Sequence, residues 1–155
     1  MSELNGVLLA IELATIRRDE AAKHAVKMGR SLEFSQTQMT QLQDYADDTD
    51  ARWVGAATQA VSRELIRHHY QFMGRLQQAI ALQSDAVHQV GEQVDKAKQT
   101  LLQAELRLAG LNMILKTRQG VQLRKRNRMD QRHTDEFAAL LHGRTRAQSL
   151  SGETT

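Results

Sequence analysis

Six histidines are the side chains in this sequence best suited by type to hold a metal or move a proton. Their spacing argues against both. His68 and His69 are neighbours, so on a helix they point about 100° apart and cannot grip one ion. His24, His88 and His142 read as isolated, solvated side chains. His133 has Asp135 and Glu136 two and three residues on, and one such pair falls short of a metal site. There is no cysteine, so thiolate nucleophiles, thiolate ligands and disulfides are excluded. No serine or threonine stands in a nucleophile–His–Asp arrangement. The nine glycines are scattered singly and form no phosphate-binding loop. The expectation is no catalytic residue, no metal and no cofactor.

The charges carry a clearer signal. Residues 116–132 hold Lys116, Arg118, Arg124, Lys125, Arg126, Arg128 and Arg132 against the single acid Asp130, a net of +6. The whole chain is only +3, so the remainder is net negative. Asp44, Asp47, Asp48 and Asp50 crowd one acidic stretch. Regions of opposite sign lie far apart in sequence, which suggests different partners at different places. A basic helix continuing from a coiled coil can grip nucleic acid phosphates. Here it follows an intramolecular hairpin rather than a dimer fork, and nucleic acid is not the expected partner.

The elements that carry these residues follow from composition and periodicity. The 155 residues include no proline and 4% aromatics, too few rings for a thick core. Good helix formers dominate. Two apolar seams repeat with 3-4 spacing. The first is Val7, Ile11, Ala14, Arg18, Ala21, Ala25, Met28, Leu32, Ser35, Met39, Leu42, Ala46, Thr49 and Trp53. The second is Ile66, His69, Met73, Leu76, Ile80, Gln83, Val87, Val90, Val94, Ala97, Leu101, Ala104, Leu108, Leu111 and Leu115. Eleven of the first 14 and thirteen of the second 15 are apolar, about twice what a 41% apolar chain gives by chance.

Neither helix can bury its stripe alone, and a short connection forces the two antiparallel. The spacing predicts an all-α fold in one domain, a long two-helix antiparallel coiled-coil hairpin about 70 Å long at ~1.5 Å per residue. Helix one is expected over about 4–53, a turn over 54–62 with Ser62 as N-cap, and helix two over about 63–142. The seam fails after Leu115, so a single-helix overhang is expected from about 116, and a disordered tail from 143. Residues 1–6 lack Lys and Arg, and the apolar run 7–11 stops at Glu12. No signal peptide or membrane-spanning segment is expected.

Heptad placement puts Gln38, Tyr45, Phe72 and Ala79 on one flank of the seam at one height, backed by Leu42 and Leu76. These six form a candidate partner-binding patch. The alternative is that Tyr45 and Phe72 only widen the seam. His69, on the seam itself, reads as a tolerated polar core position. Gly29, Gly74, Gly91 and Gly110 interrupt the helices and imply local softness.

Residues 127–131, Asn-Arg-Met-Asp-Gln, followed by 135–138, Asp-Glu-Phe-Ala, resemble the C-terminal signature of the FliJ family of the flagellar type III export apparatus. Gln38, Leu42, Asp44, Tyr45, Arg52, Trp53, Tyr70, Gln71, Phe72, Leu76, Ala79 and Ile80 fall at the family's spacings. The resemblance implies an antiparallel coiled coil similar to the rotary ATPase γ subunit. It implies a non-catalytic cytoplasmic protein of motility and chemotaxis, held peripherally at the inner membrane through the apparatus. The implied partners are the export ATPase FliI hexamer, the export gate FlhA and export chaperones. The implied gate-binding residues are the six of the patch, with Thr49 and Gln83 departing from the family's aromatic and histidine at its edge. The implied ATPase-ring contacts are Val7, Leu8, Ile11, Arg124, Arg126, Asn127, Met129, Asp130, Asp135 and Phe137. A coiled-coil adaptor of a related injectisome is the neighbouring alternative.

Overall fold

The computed structural model describes residues 2–56 and 61–152. They form two helices packed against each other, α1 (Ser2–Ala56) and α2 (Arg63–Ser151), with no strand among the described residues. This is the all-α two-helix hairpin expected from the seams. Thr37, Thr40, Thr49, Thr100, Thr117, Thr134 and Thr145 donate their hydroxyls to the carbonyl four residues back at 2.7–3.0 Å. These bonds absorb side chains that would otherwise compete with the helix backbone. Ser62 caps α2: its Oγ accepts the Leu65 N–H at 3.3 Å, and its carbonyl accepts the Ile66 N–H at 3.2 Å. Of the turn expected over 54–62, residues 54–56 continue α1 and 57–60 lie outside the described residues.

The chain divides into two compact units, Ala14–Arg107 and Met1–Leu13 with Leu108–Thr155. In Ala14–Arg107 the helices run antiparallel. Trp53 stacks on His69, Ser35 meets Gln83, and Arg17 and Ala21 share a groove with Ala104 and Arg107. Every seam position of this unit is buried or half-buried except Ile66. The fully sheltered ones are Ala14, Ala46, Leu76, Val94 and Ala97, and no polar side chain joins them. Three polar seam members, Arg18, Thr49 and Gln83, have hydrogen-bonding outlets. Arg18 turns outward to Asp19, with Nη2 and Nε at 2.7 and 3.0 Å from Oδ1. Its stem covers the seam while its charge stays wet. Thr49 bonds back to the Tyr45 carbonyl, and the Ser35 carbonyl accepts from Gln83.

In the other unit Val7 and Leu108 are buried, with Ile11, Leu111 and Leu115 half-buried. Glu3 and Leu4 share a groove with Arg118, Val121, Gln122 and Lys125. The first turn of α1 thus still lies beside α2 past the last apolar seam residue. From Lys116 onward every described residue of α2 is exposed except half-buried Gly120, and because α1 starts at Ser2, Glu3 and Leu4 still lie beside this stretch as far as Lys125. Nor does α2 stop near His142. It runs through Gly143 to Ser151, and the tail expected to be disordered from 143 is helical to that point. Its Ala, Leu, Arg and Gln residues favour helix strongly enough to absorb one glycine. Ser149 and Ser151 help close the end by donating to carbonyls three residues back at 2.8 and 3.0 Å. Residues 153–155 lie outside the described residues. No helix among the described residues is long and apolar enough to cross a membrane.

Gly29 and Gly91 are half-buried in the two helices, yet a Cβ built on either meets nothing within 4 Å. Neither glycine is required by packing, and both leave the backbone softer than alanine would. Gly29→Ala and Gly91→Ala are each expected to raise stability by about 1 kcal/mol. Urea unfolding followed by circular dichroism checks this, and a loss of stability would refute the open packing.

Candidate functional site

The aromatic patch in the Ala14–Arg107 unit is built by two helical faces held in register by the seam. On the seam side Leu76 is buried at 7% exposure, and Leu42 and Ala79 are half-buried. Tyr45 and Phe72 meet edge to face, ring centroids 6.0 Å apart and planes at 82°. Such a pair contributes ~1 kcal/mol beyond its burial. Yet Tyr45 remains 54% and Phe72 40% exposed. The rings therefore bridge the two helices and still present apolar area to solvent. Gln38 is exposed beside them. Of the six residues that heptad placement put in this patch, the structure joins Tyr45 to Phe72 by ring contact and sets Gln38, Leu42 and Tyr45 along one groove.

Two features were missed by sequence reasoning. Gln83 Nε2 donates to the Ser35 carbonyl at 2.9 Å and to Gln38 Oε1 at 3.3 Å. It ties α2 to α1 and holds the Gln38 side chain at the patch. With Gln38, Gln41, Leu42 and Tyr45 it lines a shallow groove of about 470 Å³. Gln83 was visible only as a polar break in an apolar seam. Its opposite number is fixed by the register, and the register could have named Ser35 and Gln38.

The second feature is the ring stack of Trp53 and His69, centroids 4.0 Å apart and planes 4° from parallel. Tyr70 lies against His69 at 6.2 Å and 64°. His69 is therefore more than a tolerated polar seam position: its flat face fills a layer opposite indole. Both residues were in the seam, and their positions already paired them.

The second set of expected contacts lies in the other unit. Arg124, Arg126, Asn127, Met129, Asp130, Asp135 and Phe137 are all exposed on α2, Met129 at 60% and Phe137 at 64%. Leu8 is 48% exposed on α1, whereas Val7 is buried at 8% and Ile11 half-buried. Val7 therefore supports this unit from within. Its side chain is not offered to a partner.

The histidines do not assemble. Among the described residues no three of His, Asp or Glu come together in a way that could hold a metal. His88, read from the sequence as isolated, is not: Glu92 stands one turn on, and its Oε1 is 3.2 Å from His88 Nε2. Both side chains are mostly in solvent, so the pair is a surface contact of small energetic weight.

Replacing Gln83 by Ala removes the cross-helix tie without emptying a large volume. The expected cost is about 1 kcal/mol, read by urea unfolding, together with faster quenching of Tyr45 fluorescence as the groove loosens. An unchanged midpoint would show that the tie contributes nothing net.

The comparisons with known proteins bear on the chain as a whole. A family model described as "Flagellar FliJ protein" matches residues 8–147, nearly the full length of both helices. No curated protein matches. No solved structure matches either. The family match spans the aromatic patch, the basic segment and the seam that joins α1 to α2, and on it the chain belongs to the FliJ family of flagellar export proteins.

Proposed function

We propose that this chain is a non-catalytic linker of the flagellar export apparatus, engaging the export ATPase with one surface and the export gate with another. The observation that carries the reading is the Tyr45–Phe72 pair, two aromatic rings packed on each other across the helices and still about half exposed. Large rings left in solvent on a preformed, rigid base are suited to anchoring a partner, since little side-chain freedom is lost on binding. In this reading Gln38, Leu42, Tyr45, Phe72, Leu76 and Ala79 receive the gate protein FlhA, with Leu76 as the buried support. Gln83 serves the same patch by fixing Gln38.

The ATPase contact in this reading uses Leu8 on α1 and residues 124–137 of α2. Arg124 and Arg126 supply positive charge, and Met129 and Phe137 supply apolar anchors. Among the described residues neither arginine has a carboxylate within ion-pair distance, which leaves both charges for acidic loops of the ring formed by FliI. The same exposed segment stimulates ring activity and assists the cycling of export chaperones. Position at the membrane comes through these partners.

The Tyr45→Ala/Phe72→Ala double variant is expected to bind the cytoplasmic part of FlhA about tenfold more weakly in a pull-down or titration, a loss of ~1.4 kcal/mol. Its helicity should be unchanged, because both rings are largely outside the seam. Undiminished binding would sink the patch assignment. Separately, Arg124→Glu/Arg126→Glu should abolish stimulation of FliI hydrolysis and leave FlhA binding intact. Full stimulation by that variant would overturn the ATPase contact.

A further inference from the structure

One face of α1 in the Ala14–Arg107 unit is occupied by neither the seam nor the aromatic patch. Val26 and Phe34 stand on it, 55% and 64% exposed, with half-buried Ala22 at its edge toward the seam. Lys23, Lys27 and Arg30 stand among them, and these side chains form an open surface of α1 that reaches the seam at Ser35. No carboxylate lines it; Glu33 belongs to the adjoining polar groove with Gln36, Thr37 and Thr40. None of the three cations is within ion-pair distance of an acid among the described residues. At 100° per residue this face lies nearly opposite the seam positions Ala21, Ala25, Met28 and Leu32. Burial on the partner helix therefore cannot explain a phenylalanine here.

We propose that this face docks an acidic amphipathic helix of a partner protein, its apolar stripe against Val26 and Phe34 and its carboxylates against Lys23, Lys27 and Arg30. Charge complementarity decides the occupant. A second copy of this chain paired face to face would set these cations against one another. An extended peptide would find no free backbone groups on a helix surface, and its own N–H and C=O groups would go unpaired; a helix brings its own satisfied. A membrane surface would need a broader apolar face than two large side chains supply. The span from Ala22 to Phe34 is about 18 Å, over three helical turns, which matches the contact length of one docked helix. The site is separate from the Tyr45–Phe72 patch and stands or falls independently of it.

The test uses the full chain and a labelled amphipathic peptide of about four helical turns, with a leucine stripe flanked by glutamates. A matched peptide carries lysines in place of the glutamates. Fluorescence anisotropy at low salt is expected to show binding of the acidic peptide and not of the basic one. Phe34→Ala should weaken that binding about tenfold. Lys23→Glu/Lys27→Glu/Arg30→Glu should reverse the preference between peptides. These residues are exposed, so circular dichroism and the Tyr45→Ala/Phe72→Ala variant's full peptide binding serve as controls for fold and site. Equal affinity for both peptides, or binding indifferent to the Phe34 and charge-reversal variants, overturns the proposal. So does co-sedimentation with phosphatidylglycerol vesicles that the same variants abolish, which would assign the face to lipid. A dimer in sedimentation equilibrium that Phe34→Ala dissociates would assign it to a second copy.

Discussion

A single amphipathic helix in water has no place to hide its apolar stripe, and this chain has two such stripes and little else to cover them. All tertiary order comes from laying one stripe on the other. The sheltered side chains are few and mostly small, with alanine at 14, 46 and 97. Each helix shelters one stripe, and most of its remaining side chains are exposed. A globular protein spends its large apolar residues on a core. Here phenylalanine, tyrosine, leucine and methionine stand outside at many positions. The exposed apolar surfaces are therefore a geometric result of helices that bury a single stripe each.

The register of the seam explains why the patch is so well made. Tyr45 and Phe72 are 27 positions apart in sequence and touch only because the antiparallel pairing sets them level. The polar members of the seam do the setting. Apolar layers are nearly interchangeable, so a slip by one heptad would cost little packing. It would cost the Gln83 bonds to Ser35 and Gln38 and the flat stacking of Trp53 on His69. A polar residue at a core position in a coiled coil is known to act in this way, trading stability for a unique alignment.

The hairpin and the meeting of Tyr45 with Phe72 were legible in the sequence because a seven-residue repeat is a long, redundant signal. All seam positions of α1 proved sheltered, and all of α2 save Ile66. What the sequence obscured was local. The pairing continued to Lys125 through Leu4, a single apolar residue upstream of the counted seam. The tail stayed helical past Gly143, since one glycine is a small penalty in a long run of helix formers. Val7 reads equally well as an exposed contact or a seam layer until the partner helix is in place. The Ala22–Phe34 face carries no seven-residue signal, because Val26 and Phe34 lie on the far side of the helix from the seam.

The part of α2 after Lys125 obeys different thermodynamics from the paired part. Its residues 126–151 are all exposed, so its order comes chiefly from helix–coil cooperativity. Such a segment frays gradually from its end as temperature rises, while the paired region melts together. Its amides should exchange with solvent hydrogen orders of magnitude sooner than those beneath Leu76 or Val94. A partner closing around it would then meet a chain already mostly helical, and the ordering entropy left to lose on binding would be correspondingly small.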